Sequence, residues 1–277
     1  MHKPLRQDLI MQQLSAKHRV YVSKLAAQLN VSEATVRKDL DVLEESGLLK
    51  RVHGGAVPMN HNSTPREMDF MARAQFQQIE KEAIAQTALD LIQDHDSILL
   101  DASSTCYQLA SLLRHTTFQL TVVTNGIRTA ALLSENEKIR VFVVGGLVRS
   151  GNAIGGLIGS GLFAKVHINK AFVSARGIDI QHGLTDFNLE EVELKNYMIE
   201  QVGQIVALVD HTKIGVVSVA GFCPLSRVSI IITDTLSPIE TLQIMQKKGI
   251  TVRQADTKVL MEGYPERQKE LDDKMTT

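Results

Sequence analysis

Several stretches of this 277-residue chain carry residue types at spacings that could do chemistry. The densest is Asp101-Ala102-Ser103-Ser104-Thr105, where the apolar run SILLD (97–101) leads straight into hydroxyls and a helical pattern. Hydroxyls and unpaired amides at a helix start suit an anion, because the dipole and the free N–H groups both favour negative charge. Serines in that position serve equally as helix caps. Two other strand ends are similar: Thr124-Asn125-Gly126, and Gly145-Gly146 followed by Arg149. Arg149 can pair bidentately with a phosphate, while Asp101 and Asn125 suit sugar hydroxyls. The two glycines either let backbone approach a ligand or simply form a tight turn. Further on, Glu190, Glu191, Glu193 and Lys195 share a helical pattern, and Asp210-His211-Thr212-Lys213 closes another apolar run. A charge run on a helix is usually a solvated face, and Lys195 and Lys213 rise above that only as phosphate partners.

The first 58 residues carry a different chemistry. A helical pattern built on Val22, Leu25, Ala26 and Leu29 ends at Asn30, and Val31-Ser32 leads at once into a second pattern built on Val36, Leu40 and Leu43. That is a tight helix-turn-helix. Ser32 is a suitable N-cap, its hydroxyl accepting from an amide of the first turn. With Val36, Leu40 and Leu43 inward, Ala34 and Lys38 centre the outward face, flanked by Thr35 and Arg37, with Asp41 and Glu45 further along. Phosphates would repel those acids, so only the N-terminal half of the helix suits a DNA groove. Arg37 or Lys38 can reach guanine or phosphate, and Thr35 a base edge. After Gly47 the run LLKRVHGGAVP reads as a small hairpin or wing in which Lys50, Arg51, His53, Gly54 and Gly55 could meet phosphate. Its alternative is an ordinary hairpin turn.

The elements that must position these residues fall into two groups. An earlier helical pattern (Leu5, Leu9, Ile10, Leu14) joins the other two to make a three-helix head with its wing over 1–58. Poor periodicity and the cluster Asn62-Ser63-Thr64-Pro65 mark 59–75 as a linker. From 76 to 256, apolar strand-length runs at 97–101, 120–124, 140–146, 171–175, 205–210 and 229–233 alternate with helical patterns. The helices are expected at 78–93, 105–114, 126–134, 189–202 and 238–248. That alternation predicts an α/β domain with a mostly parallel sheet covered on both faces, whose strand ends can converge on a ligand. The stretch 257–277 reads as a charged tail. Charge is uneven: 1–60 holds nine Lys/Arg against six Asp/Glu, net +3, while the remainder is net −4. Cys106 and Cys223 have neither disulfide nor zinc spacing and read as free thiols. The nine histidines include no pair at helical metal spacing, so no metal and no cofactor is expected. There is no signal-like leader and no run of apolar residues long enough to span a membrane, which suits a cytoplasmic protein.

Arg6, Ile10 and Leu14, the block Ser32-Glu33-Ala34-Thr35-Val36-Arg37-Lys38-Asp39-Leu40, then Leu43-Glu44 and Arg51-Val52-His53-Gly54-Gly55-Ala56 together resemble the N-terminal signature of the DeoR family of transcriptional regulators. The larger domain resembles the C-terminal domain of that family through DASST (101–105), TNG (124–126), GGLVR (145–149), GLTDFN (183–188), the 191–195 region and DHTKIG (210–215). The resemblance implies a winged helix-turn-helix reader joined to a sensor whose fold is similar to ribose-5-phosphate isomerase. It implies a repressor of a carbohydrate catabolic operon, released by a phosphorylated sugar. Arg6 then becomes a phosphate contact. The resemblance further implies that Asp101, Ser103, Ser104, Thr105, Thr124, Asn125, Gly145, Gly146, Arg149, Lys195, Asp210 and Lys213 border the effector site. One departure from the family pattern is Arg176, which stands where an acidic or small residue is expected before Gly177; it could add an anion contact, disturb the pocket or point outward.

The rival reading is a sugar-phosphate isomerase with an appended DNA-binding head. It needs a base beside a carbon acid and an electrophile. Asp101, Glu191 or Asp179 could serve as base and Lys195 as electrophile, but no spacing singles out a pair, so no catalytic residue is expected. The partners expected are double-stranded operator DNA, a sugar phosphate and a second copy of the chain, as a homodimer or homotetramer, since one head of net +3 binds weakly.

Overall fold

The computed structural model of the chain describes residues 6–7, 9–11, 13–14, 19–45, 49–58, 70–149, 151–257 and 260. Two compact units divide between Gln78 and Ile79.

In the first unit every described position from 6 to 14 is helical (α1). Strand β1 (Val20–Tyr21) follows, then α2 (Val22–Leu29), α3 (Glu33–Glu45), β2 (Leu49–Val52), β3 (Gly55–Pro58) and α4 (Phe70–Gln75). Helix α2 stops at Asn30, which takes left-handed backbone angles and donates its N–H to the Ala26 carbonyl. Two residues later Ser32 Oγ accepts from the Thr35 N–H at 3.1 Å and restarts the helix. The apolar stripes meet in one core of Ile10, Leu14, Leu25, Leu29, Val36, Leu40 and Leu43, closed by Leu49 and Ala56 from the wing. The wing strands pair antiparallel, and β3 also takes β1 on its other edge, giving the order β1-β3-β2. Of the expected linker, 59–69 lies outside the described residues. Phe70–Gln75 is helical instead of aperiodic, since Met, Ala, Arg and Gln are good helix formers in a segment too short to display a period.

The second unit begins with α5 (Gln78–Leu89), β4 (Ser97–Leu100), α6 (Ser104–Leu113), β5 (Leu120–Thr124), α7 (Ile127–Leu133) and β6 (Ile139–Val143). The hairpin β7 (Leu147–Arg149) and β8 (Ala153–Gly155) comes next, then β9 (Ile168–Val173), β10 (Gly177–Asp179) and β11 (Gly183–Asp186). The chain continues through α8 (Leu189–Glu200), β12 (Val202–Leu208), β13 (Ala220–Cys223), β14 (Ile230–Asp234), α9 (Ile239–Lys247) and β15 (Thr251–Ala255). Seven strands form a sheet in the order β15-β14-β12-β9-β4-β5-β6, every neighbouring pair parallel.

Alternate residues of these strands bury on opposite faces. Ile98, Leu100, Val122, Phe172, Val206 and Leu208 pack with residues of α5, α6 and α7. Leu99, Val123, Ala171, Val173, Ile205 and Ala207 pack with residues of α8 and α9. Burial on both faces is why these strands read as unbroken apolar runs. A second, antiparallel sheet, β10-β11-β13, was not legible in the pattern. Of the expected tail only Thr257 and Leu260 are described, and both are buried, Leu260 within the core on the α5 and α6 side.

Candidate functional site

In the head, Ala34, Arg37 and Lys38 are exposed on α3 and Thr35 is half-buried, its Oγ1 2.9 Å from Ser32 Oγ. Ser32 thus caps the helix and orients Thr35 at once. Arg37 folds back on Glu33, one turn earlier, at 2.6 Å. Such an exposed pair is worth less than about 1 kcal/mol, so a phosphate can displace it. His53 and Gly54 are exposed in the wing turn, Gly54 at φ +74° with open space where a Cβ would stand.

Three residues that sequence reasoning offered to DNA have work inside the head. Arg6 is buried and grips Asp39 of α3 with two guanidinium nitrogens, one 3.1 Å from Oδ1, so it fastens α1 to the recognition helix. Arg51 reaches from the wing to the Asp41 carboxylate and the Arg37 carbonyl, and its backbone N–H donates to Glu44 Oε1 at 2.6 Å. The wing is thereby clamped to α3, and an acid that would repel phosphate is neutralised. Gly55 is buried, and a Cβ there would stand 1.9 Å from the Val20 carbonyl oxygen. Its type is demanded by the close pairing of β1 with β3.

In the second unit, parallel order places the carboxyl ends of β12, β9, β4, β5 and β6 side by side on one edge. That edge carries Asp210, Ser174, Asp101, Thr124-Asn125 and Gly145-Gly146. Asp101 is fully buried, with Oδ1 accepting from the Ser103 N–H at 3.0 Å and Oδ2 from the Ser174 N–H at 2.9 Å. Lys195, from α8, reaches Asp101 Oδ2 at 3.2 Å, Asp186 Oδ2 at 2.8 Å and the Ser174 carbonyl at 3.1 Å. Burial alone would depress the Lys195 ammonium, but Asp186, Asp101 and Glu191 more than reverse this and hold it well above the usual lysine value. Lys195 is therefore a charged pin between three strand ends, its ammonium already held by two carboxylates and a carbonyl.

Ser103 caps α6, its Oγ accepting from the Cys106 N–H at 3.1 Å, with Ser104 and Thr105 buried behind it. Thr124 Oγ1 accepts from the Gly126 N–H at 3.0 Å. Asn125 is fully buried: its Nδ2 donates to the Ile154 carbonyl at 3.0 Å, which fixes the amide and leaves Oδ1 without a donor among the described residues. Gly145 and Gly146 are exposed. Gly145 has open space for a Cβ, whereas one on Gly146 would meet the Gly155 carbonyl oxygen at 2.7 Å, a packing demand of the β7–β8 hairpin. Arg149 lies in β7, but its side chain is outside the described residues.

Asp210 accepts from the Thr212 N–H at 3.0 Å. Burial would raise its pKa, but Lys213 and Lys81 outweigh this and lower it. Lys213 is half-buried in the turn that follows. Arg176 lays its guanidinium over the Phe187 ring at 5.4 Å.

Sequence reasoning missed Asn152, which donates to the Ala102 carbonyl at 2.8 Å and accepts from the Arg128 N–H at 3.0 Å, tying the β4 and β5 ends together. It also missed Asp186 as the partner of Lys195. The sole signals were a turn pair, Gly151-Asn152, and one acid within a motif. Among the described residues no group of three or more His, Cys, Asp or Glu could hold a metal, and Cys106 and Cys223 are free and buried.

A winged helix-turn-helix whose recognition-helix N-terminus is presented to solvent, joined to a parallel α/β domain with a polar strand edge, defines a DNA-binding transcriptional regulator with a sensor domain. Residues 6–62 match the DeoR-like helix-turn-helix domain and residues 77–235 the DeoR C-terminal sensor domain. The HTH-type transcriptional regulator GolR of Listeria innocua is 38% identical over 252 residues, spanning 91% of this chain and 98% of that protein. The HTH-type transcriptional repressor GlcR of Bacillus subtilis is 32% identical, spanning 90% and 95%. The chain belongs to the DeoR family. A solved D-ribose-5-phosphate isomerase in complex with phospho-erythronic acid is 19% identical, with a TM-score of 0.39 over 50% of this chain and 54% of that one. Similarity at that level leaves the chemistry to this chain's own residues.

Proposed function

We propose that this regulator is a repressor of a carbohydrate catabolic operon, acting as a cytoplasmic homodimer or homotetramer, and that a phosphorylated sugar lowers its DNA affinity. The observation that carries the effector reading is the Asn125 side chain: a fully buried amide whose Oδ1 has no donor among the described residues, between the Ser103-Ser104-Thr105 helix start and the Gly145-Gly146 strand end. A sugar hydroxyl donates to such an oxygen, and the amides and hydroxyls of the neighbouring helix start suit the phosphate. Lys195 and Asp101 hold the strand ends in place, and in this reading Asp210 and Lys213 border the effector.

The same geometry speaks against Asp101 as the base of an isomerase. A general base needs an oxygen able to take a proton, and both oxygens of Asp101 are committed to backbone amides and Lys195. The assignment is tested by thermal-shift measurements against pentose and hexose phosphates. A ligand of the native state stabilises it by RT ln(1 + [L]/Kd) and so raises the sensor's melting temperature, and Asn125→Ala is expected to remove most of that shift. Shifts identical in wild type and Asn125→Ala would move the effector elsewhere. Steady turnover of a sugar phosphate would overturn the regulator-only reading.

A further inference from the structure

One patch of the head has no part in the helix-turn-helix reading. Tyr21, on the two-residue strand β1, is 40% exposed and carries two cations over its ring: Arg19 Cζ at 5.1 Å from the centroid and Lys24 Nζ at 5.4 Å. Gln13 and Gln28 join these three around a groove of about 390 Å³, and among the described residues no carboxylate lines it. Cations over an aromatic face are aligned at low cost and keep their charge outward.

Where the head's positive charge is spent points to the occupant. Arg6, Arg37 and Arg51 each pair with a carboxylate of α3. Arg19, Lys24, Lys38 and Lys50 have no carboxylate partner among the described residues. Affinity for duplex DNA comes chiefly from cations that displace condensed counterions, and the unpaired ones can do so without first giving up a carboxylate. Two of these four share the Tyr21 patch. The patch also adjoins the wing: Tyr21 pairs with Gly55, and the Val22 N–H donates to the Gly54 carbonyl at 2.9 Å.

We propose that Arg19, Tyr21 and Lys24 form a second DNA-backbone contact beside the wing, with Arg19 and Lys24 each neutralising one phosphate and the Tyr21 ring setting their positions. This rests on the reading of the head as a DNA binder. Being a contact to phosphate, it adds affinity without sequence preference.

The test is fluorescence anisotropy of labelled mixed-sequence duplex DNA with the full chain across a KCl series, using Lys38→Gln as a reference for the recognition helix. Arg19→Gln and Lys24→Gln are each expected to reduce the slope of log K against log salt by about 0.9 for every head engaged on the duplex, and the double variant by about twice that. Tyr21→Phe leaves the slope unchanged because no charge is lost. Slopes equal to wild type for both single variants, with the reduction present in Lys38→Gln, overturn the patch and leave the DNA reading intact. Absence of salt-dependent duplex binding by the wild type overturns the DNA reading itself. If the variants change the sedimentation of the free protein while the slope holds, the patch serves a protein partner and the proposal fails. Should the double variant lose helical signal, Lys24→Gln decides, because glutamine is as good a helix former as lysine at that exposed position.

Discussion

At the scale of single residues, the chemistry of a cation is decided by which carboxylate the fold brings to it. Lys195 illustrates this. From sequence it could be a phosphate ligand or a solvated charge, and the structure buries it between Asp101 and Asp186, which approach from two different strands. Arg6 follows the same logic, since its partner Asp39 is 33 positions away. Type and pattern made these residues visible; their partners were invisible because no local spacing encodes a tertiary ion pair. Removing the cation strands two buried acids, so Lys195→Met is expected to destabilise the sensor by roughly 3–5 kcal/mol, seen as a lowered urea midpoint. The sign of the pH dependence follows from the raised lysine value. Its stabilisation is complete below the unfolded lysine pKa of about 10.4 and is lost only as pH rises through the higher folded value. The wild-type to Lys195→Met difference is therefore expected not to shrink as pH rises across the neutral range. A difference that vanished toward pH 8 would show the lysine to be easily deprotonated.

At the scale of elements, legibility followed burial symmetry. Helices α2 and α3 show a 3.6-residue stripe because one face is buried, and β4, β5, β9, β12 and β14 show continuous apolar runs because both are. Strand β15 is an edge strand of sequence TVRQA, mostly exposed, and has neither pattern. Strands β7, β8, β10 and β1 are two or three residues long, too short to display any period. The wing shows what the pattern conceals, because its two glycines look equivalent and are not. Gly54 needs only a left-handed backbone, so Gly54→Ala costs about 1 kcal/mol. Gly55 lies against the Val20 carbonyl, so Gly55→Ala must part β1 from β3. Melts followed by circular dichroism are expected to show a much larger loss in the head for Gly55→Ala, with duplex affinity falling alongside it and sensor stability unchanged. Equal, small effects from both variants would mean that β1 is dispensable.

At the scale of the whole molecule, the division of charge between a basic head and an acidic remainder was legible in composition, and the boundary between the compact units falls beside the start of α5. Function as a switch asks for more than two units in one chain. A sugar phosphate can release DNA only by binding better to a DNA-incompetent arrangement, and thermodynamic linkage then requires DNA to weaken the sugar phosphate by the same factor. A tenfold effect corresponds to about 1.4 kcal/mol of coupling. Calorimetric titration of the effective sugar phosphate, with and without saturating operator duplex, gives one ratio of dissociation constants. Titration of the duplex with and without saturating sugar phosphate gives the other, and the two are expected to agree. Lys38→Gln should weaken DNA in both arms and leave the ratio intact, because it acts on the reader alone. A variant of the sensor edge such as Asn125→Ala should remove effector binding without changing DNA affinity in its absence. Equal sugar-phosphate affinity on free and DNA-bound protein would mean that the two sites are uncoupled, and release of the operator would need another cause.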